Sequence, residues 1–291
     1  MAVCLNGIVI KIPNVIARLK SEYQRRTFKE YGTEIQTIEL ADGPVQFAKW
    51  QHPLEGPEDF DQQHVDFFRR WVKPGDLAID IGAFTGDTAV PMALAAAGGG
   101  LVLALEPNPH VYKVLQQNAG LNAGRANIVP LNFAATEEDG TFTFEYSDAS
   151  FCNGGYLAKI KDRTNDHKSQ HRYKLEVDGK NLERYVRANY ADRLPSLSFV
   201  KIDAEGYDKD IIRSLSKLLK EYRPVVITEC LPALDDAERQ ELLSALTDNG
   251  YVPYRLHNFT DAPSERLTGT NIKSREHFDI LALPEETVSK F

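Results

Sequence analysis

Asp76-Leu-Ala-Ile-Asp-Ile-Gly-Ala-Phe-Thr-Gly-Asp-Thr88, followed by Leu101-Val-Leu-Ala-Leu-Glu106, reads as a buried strand, a glycine turn, a helix, a second buried strand and an acidic residue at that strand's end. An α/β fold builds a nucleoside site in this order. The glycines let backbone approach the ligand, and the acidic residue accepts hydrogen bonds from ribose hydroxyls.

Working outward, apolar runs alternate with helical patterns, the signature of a doubly wound sheet with helices on both faces. Strands are predicted at 77–81, 101–105, 128–133, 199–202, 225–228, 251–256 and 278–283. Between them, residues 210–221 place Ile211, Ile212, Leu215, Leu218 and Leu219 on one helical face, and 235–249 form a second helix stopped by Gly250. Ahead of the core, residues 1–73 read as an N-terminal cap: a helix over 14–31, a hairpin turning at Asp42-Gly43, and a helix over 60–72 stopped by Pro74-Gly75. Residues 74–291 then form the ligand-binding domain. A middle insertion at about 140–190 holds one strand over 141–146 and a polar loop from Ser147 to Arg172, with Ser150 to Tyr156 read as a lid, a binding loop or a plain turn.

Lys+Arg 34 against Asp+Glu 42 leaves a net charge of −8. This balance offers no general attraction to phosphate backbones or anionic lipid, so no nucleic-acid partner is expected. Cys4, Cys152 and Cys230 lack CxxC spacing, and the first residues lack the features of a secretory leader, so a cytoplasmic protein is expected. The uncharged run 89–105 is split by Pro91 and Gly98-Gly-Gly100 into helix, turn and strand, so no membrane span is expected.

Within the turn, Phe84 stands where dinucleotide-binding loops carry the second glycine of GxGxxG, which lets a pyrophosphate rest on backbone. A cofactor without phosphates tolerates a bulkier loop, and its cationic groups benefit from a carboxylate such as Asp80. S-adenosylmethionine has no phosphate and carries both an ammonium and a sulfonium. Glu106 follows Gly82 at close to the spacing of a ribose-binding acid.

Ile79-Asp-Ile-Gly-Ala-Phe-Thr-Gly-Asp, Leu105-Glu-Pro-Asn-Pro, Asn127-Ile-Val, Ala134-Ala135 and above all Phe199-Val-Lys-Ile-Asp-Ala-Glu-Gly-Tyr-Asp208, followed by Pro224-Val-Val-Ile-Thr-Glu229, resemble the FkbM family of S-adenosylmethionine-dependent methyltransferases. The resemblance covers roughly Pro74 to Glu229. It implies a class I methyltransferase, Rossmann-like sheet of seven strands with the last antiparallel, and O-methylation of a small-molecule hydroxyl on a sugar, glycolipid or polyketide-like metabolite. Carried onto this chain, the cofactor-binding positions are Asp80, Gly82, Ala83, Phe84, Thr85, Gly86, Glu106, Pro107, Asn108, Ala134 and Asp203. The amino-acid end falls to Asp80 and the glycines, the ribose to Glu106, and the adenine border to 132–135. The family pattern is broken in one respect: no acidic residue immediately follows the third strand to hold the adenine amino group.

Ligands of open α/β sheets sit beyond the carboxyl ends of the strands, so Asp203, Glu205 and Glu229 are expected near the acceptor. Asp203, Glu229 and His257 are the catalytic candidates for alignment and proton removal. Asp203, Glu205 and Glu229 also form the one oxygen set a divalent metal would use, although metal dependence is not expected. His167 and His171, spaced i, i+4, read as a solvated loop, and His52, His64, His110 and His277 as surface or packing residues. The alternatives are a nicotinamide-dependent oxidoreductase, opposed by Phe84 and by the absence of a Tyr-x-x-x-Lys pair, and a non-catalytic binding module, opposed by the acidic strand ends. Oligomeric state and acceptor identity are not legible.

Overall fold

Apolar residues fill both faces of the central strands, which is why those strands read as unbroken hydrophobic runs. In the computed structural model, residues 2–5, 8–11, 23, 25–56, 60–152, 154–157, 172–260, 262–274 and 276–288 are described. The chain opens with β1 (Ala2–Leu5), β2 (Ile8–Lys11), β3 (Thr33–Ile38), β4 (Val45–Trp50) and α1 (Gln62–Trp71). The core follows with β5 (Leu77–Ile81), α2 (Ala89–Ala95), β6 (Leu101–Leu105), α3 (Pro109–Leu121) and β7 (Ile128–Leu131). Next come β8 (Ala134–Thr136), β9 (Gly140–Tyr146), β10 (Gly154–Leu157), β11 (Tyr173–Asn181), α4 (Leu182–Asn189) and β12 (Leu197–Ile202). Last are α5 (Asp208–Ser214), α6 (Ser216–Tyr222), β13 (Val225–Cys230), α7 (Asp236–Thr247), β14 (Tyr251–Leu256), β15 (Phe278–Pro284) and α8 (Glu285–Val288).

Seven strands form one sheet in the order β14-β15-β13-β12-β5-β6-β7, parallel except for β15, which runs antiparallel to both neighbours. This is the class I methyltransferase arrangement that the resemblance implied. Leu77, Ile79 and Ile81 of β5 join one buried cluster while Ala78 joins the other, so each strand feeds cores on both faces. Pro130 and Pro253 lie in β7 and β14, the two edges, where a missing N–H costs no ladder bond. The run 89–105 forms α2 and β6 as expected, and no helix among the described residues is long and apolar enough to cross a membrane.

The expected hairpin and helix ahead of the core are present as β3–β4 and α1. Asp61 caps α1 by accepting from the Gln63 and His64 amides, and Val65, Phe67 and Phe68 are buried. Asn118 of α3 ties the hairpin to the core. It accepts from the Ala48 amide at 2.6 Å and donates to the Ala48 carbonyl at 3.0 Å and the Thr85 carbonyl at 2.8 Å. One buried amide thus anchors both the hairpin and the glycine turn. The helix expected over 14–31 falls largely outside the described residues; Tyr23, Arg25 and Arg26 are helical and the helix has ended by Thr27.

Two expectations are corrected. The single helix over 210–221 is two, α5 and α6, parted at Leu215. The Ser214 hydroxyl donates back to the Ile211 carbonyl at 2.8 Å and the Ser216 hydroxyl donates to Asn249, a competition with the helical ladder that favours a break. The middle insertion, read as one strand and a loop, forms a second sheet in the order β10-β9-β11-β8, with β8 and β11 parallel. The His167/His171 pair lies outside the described residues.

Candidate active site

The turn after β5 holds the chain hard against β12. A Cβ on Gly82 would stand 2.0 Å from the Asp203 carbonyl oxygen, and the residue has φ +75°, so only glycine fits. Phe84, two residues on, adopts φ 44°, and Glu205 at the end of β12 adopts φ 50°. Left-handed backbone in such non-glycine residues stores strain.

Two cavities open beyond these strand ends. The first, about 660 Å³ counting space open to solvent, lies between the main sheet and the second one. Ile81, Leu105, Phe133, Ala134, Phe144 and Leu157 make its walls largely apolar. The second, of about 890 Å³, is polar and holds Asp87, Thr88, Lys201 and Phe259. Gly82, Glu106, Asp203 and Glu205 line both, so the cavities meet at a neck formed by the ends of β5, β6 and β12.

Glu106 is 7 % exposed. It accepts from the Phe84 amide at 3.1 Å on one oxygen and from the Asn108 amide at 2.8 Å on the other. Burial raises its pKa to about 7 against the pull of those two amides. Asn108 also caps α3 through the His110 amide and donates to the Phe151 carbonyl at 2.7 Å. Asn132 donates to the Glu106 and Pro107 carbonyls, fixing the same corner.

Of the positions assigned to cofactor binding, Gly82, Phe84, Glu106, Pro107, Ala134 and Asp203 line the cavities. Ala83, Thr85, Gly86 and Asn108 lie behind them and shape the turn and the α3 start. Asp80 is fully buried, accepts from the Thr88 hydroxyl at 2.7 Å and sits 3.5 Å from Lys201 Nζ. Thr88 and Lys201 line the second cavity where Asp80 does not.

Beside the neck lies a crowd of carboxylates. Asp208 is buried, accepting from the Thr228 hydroxyl at 2.9 Å and the Gly206 amide at 3.1 Å, and burial, with Asp203 nearby, raises it to about 7. Glu205 and Glu229 are raised well above the usual carboxylate range, first by burial and then by neighbouring carboxylates. Asp279 is raised to about 6 for the same reasons. Glu229 Oε1 is 2.7 Å from His277 Nε2, and Glu229 Oε2 is buried without a hydrogen-bond partner among the described residues. Because β15 runs antiparallel, with Cys230 opposite Phe278, His277 arrives at the same sheet edge as Glu229.

His277, read from sequence as a surface or packing residue, is therefore the imidazole at this edge, with its side chain 58 % exposed. His257 is exposed at the end of edge strand β14, with β15 between it and β13. His52, His64 and His110 do pack: His52 lies against Tyr31 and Trp50, His64 completes the α1 cap, and His110 stacks on Phe151 at 5.3 Å. Asp203, Glu205 and Glu229 do not form a metal-holding group, nor does any set of three or more His, Cys, Asp or Glu among the described residues.

Missed by sequence reasoning were Lys201, Asp87, His277 and the Phe144/Leu157 wall. A lysine inside an apolar strand was the available signal for the first, since buried lysines need partners. The antiparallel register would have found His277.

A family model for the methyltransferase FkbM domain matches residues 80–253, more than half of the chain. Among curated proteins, none matches. Solved structures with a similar fold include an FkbM methyltransferase from Methylobacillus flagellatus (13 % identity, TM-score 0.43, 76 % of this chain and 51 % of that one). The chain thus spans about half of that protein. An S-adenosylmethionine-dependent O-methyltransferase from Thermotoga maritima aligns at 13 % identity, TM-score 0.42, over 98 % of this chain and 85 % of that one. Fibrillarin from Aeropyrum pernix, with S-adenosyl-L-methionine natively bound, aligns at 13 % identity, TM-score 0.43, over 88 % and 97 %.

Proposed function

Because the chain belongs to the FkbM methyltransferase family, we propose that it uses S-adenosylmethionine to methylate a hydroxyl of a small molecule, such as a sugar, glycolipid or polyketide-like metabolite, in the cytoplasm. The observation that carries this reading is the paired cavity, apolar on one side and polar on the other, with Glu106 and Asp203 at the neck. The apolar side suits an adenine between Phe133, Ala134 and Leu157. Glu106, already fixed by two backbone amides, accepts from ribose hydroxyls, and Asp87 and Asp203 face the ammonium of the amino-acid end. Phe84 in the turn leaves no flat backbone bed for a pyrophosphate.

When bound, the cofactor supplies a methyl group on a sulfonium. The protein's own part is to align the acceptor and take its proton. The Glu229–His277 pair suits the second task. Burial, followed by the nearby carboxylates of Asp203, Asp208 and Asp279, raises Glu229 well above the usual carboxylate range, so it holds a proton tightly beside the His277 ring. His277 is exposed, and it presents a ring nitrogen to an acceptor while Nε2 remains on Glu229. The surplus of carboxylates about the neck also favours a cationic methyl donor over its neutral thioether product.

The test is thermal denaturation with S-adenosylmethionine, S-adenosylhomocysteine, NAD and NADP. Each nucleoside sulfur compound raises Tm and neither dinucleotide does. A rise with NAD or NADP alone would make the protein an oxidoreductase, and no rise with any of the four would leave a fold without its cofactor.

A further inference from the structure

Lys201 is a charge planted where the strand pattern asks for an apolar residue. It is 5 % exposed and lies on β12 between Val200 and Ile202. Its partner by register on parallel β5 is Asp80, so the two side chains leave the same face of adjacent central strands. A buried lysine left alone would lose its proton or its place. Here Nζ donates to the Gly82 carbonyl at 3.3 Å and to Asp203 Oδ2 at 3.2 Å, and lies 3.5 Å from Asp80 Oδ1. Burial pulls its pKa down, and the carboxylates of Asp203, Asp80 and Asp87 more than reverse this, so the group stays an ammonium. Its donors are thus committed to groups of the protein.

Two of those groups, Gly82 and Asp203, line both cavities, and they are the pair already pressed together where a Gly82 Cβ has no room. From the geometry we infer that Lys201 is a positioning residue, clamping Gly82 and Asp203 so that the neck of the cleft receives the sulfur and amino-acid end of the cofactor. It acts through those two residues and through Asp80, whose other oxygen is held by Thr88. The nucleoside half of the cleft is built chiefly by Glu106, Phe133 and Ala134, to none of which Lys201 donates. This rests on the cofactor reading above.

The distinction between a clamp and a mere structural filler is measurable without an acceptor. Calorimetric titration compares S-adenosylhomocysteine with adenosine, which lacks the sulfur and the amino-acid end. Lys201→Met lowers affinity for S-adenosylhomocysteine about 10- to 100-fold and leaves adenosine binding within about twofold. Because Lys201→Met strands a buried Asp80, the paired variant Asp80→Asn/Lys201→Met, read against Asp80→Asn alone, provides a folded comparison: it recovers the melting temperature but binds S-adenosylhomocysteine more weakly than Asp80→Asn does. Recovery of that affinity to the Asp80→Asn level in the paired variant, or an equal loss for both nucleosides, would reduce Lys201 to a structural counter-ion. Wild-type protein that binds neither nucleoside overturns the cofactor reading itself, and this role with it. Wild-type binding with an unchanged Lys201→Met overturns the role alone.

Discussion

The two halves of the sheet's carboxyl edge treat buried carboxylates in opposite ways. On the β5–β6 side two acids have fixed partners, although burial raises both: Glu106 accepts from two backbone amides, and Asp80 accepts from the Thr88 hydroxyl and lies 3.5 Å from the Lys201 ammonium. On the β12–β13–β15 side Glu205, Asp208, Glu229 and Asp279 crowd together, every one raised, with His277 the cationic-capable group bonded to Glu229. The first half is settled before any ligand arrives. The second already holds protons more tightly than ordinary carboxylates do. The two treatments are separated by strand.

The sharpest way to break the settled half is Gly82→Ala. A Cβ driven against the Asp203 carbonyl, together with left-handed backbone, costs about 3 kcal/mol or more, read as a drop in midpoint on chemical denaturation. Wild-type stability in that variant would show that β5 and β12 are not locked at the turn. Next in size, His277→Asn slows methyl transfer about 100-fold with a hydroxylated acceptor while S-adenosylhomocysteine affinity holds; initial rates on an acceptor panel decide it, and equal rates would remove His277 from the chemistry. Slightly smaller, Glu106→Ala loses about 2 kcal/mol of S-adenosylhomocysteine binding, roughly 30-fold by calorimetry, without unfolding. An unchanged affinity would place the ribose elsewhere.

The smallest effect probes the crowded half by pH. Asp208 is raised to about 7 in the fold, chiefly by burial. Unfolded, it returns to an ordinary carboxylate value, so the folded protein holds an extra proton between that value and about 7. Its stabilising contribution is therefore complete below the ordinary carboxylate range and is lost as pH rises through about 7. Between pH 5 and pH 8 wild-type Tm falls relative to Asp208→Asn. Parallel Tm curves for the two proteins would mean that Asp208 is not raised.

Much of this was legible because burial writes itself into composition. β5 and β6 lie in the sheet centre and read as continuous apolar runs, and the turn between β5 and α2 carries glycines that nothing larger can replace. β8 is three residues long, too short for any period to show. β11 alternates Tyr173, Leu175 and Val177 with Lys174, Glu176 and Asp178, a readable strand, but its pairing with β9 across an intervening segment is a long-range fact. The Lys201–Asp80 contact and the Glu229–His277 contact are equally non-local: each needs the strand order and direction before its partners can be named. Glu106 is half local: its donor Asn108 lies two residues on, while Phe84 sits 22 residues back in the glycine turn.

The parallel bridge between β8 and β11 pins Ala134–Thr136 to Gly179–Asn181, so the two chain ends of the insertion are held side by side. Between those anchors β9 and β11 keep their own register over Gly140–Tyr146 and Tyr173–Gly179. The connection joining them carries β10, whose Leu157 lines the first cavity beside Phe144 of β9. Rewriting that connection therefore redraws one wall of the cavity while the strand ends that form the opposite wall stay as they are.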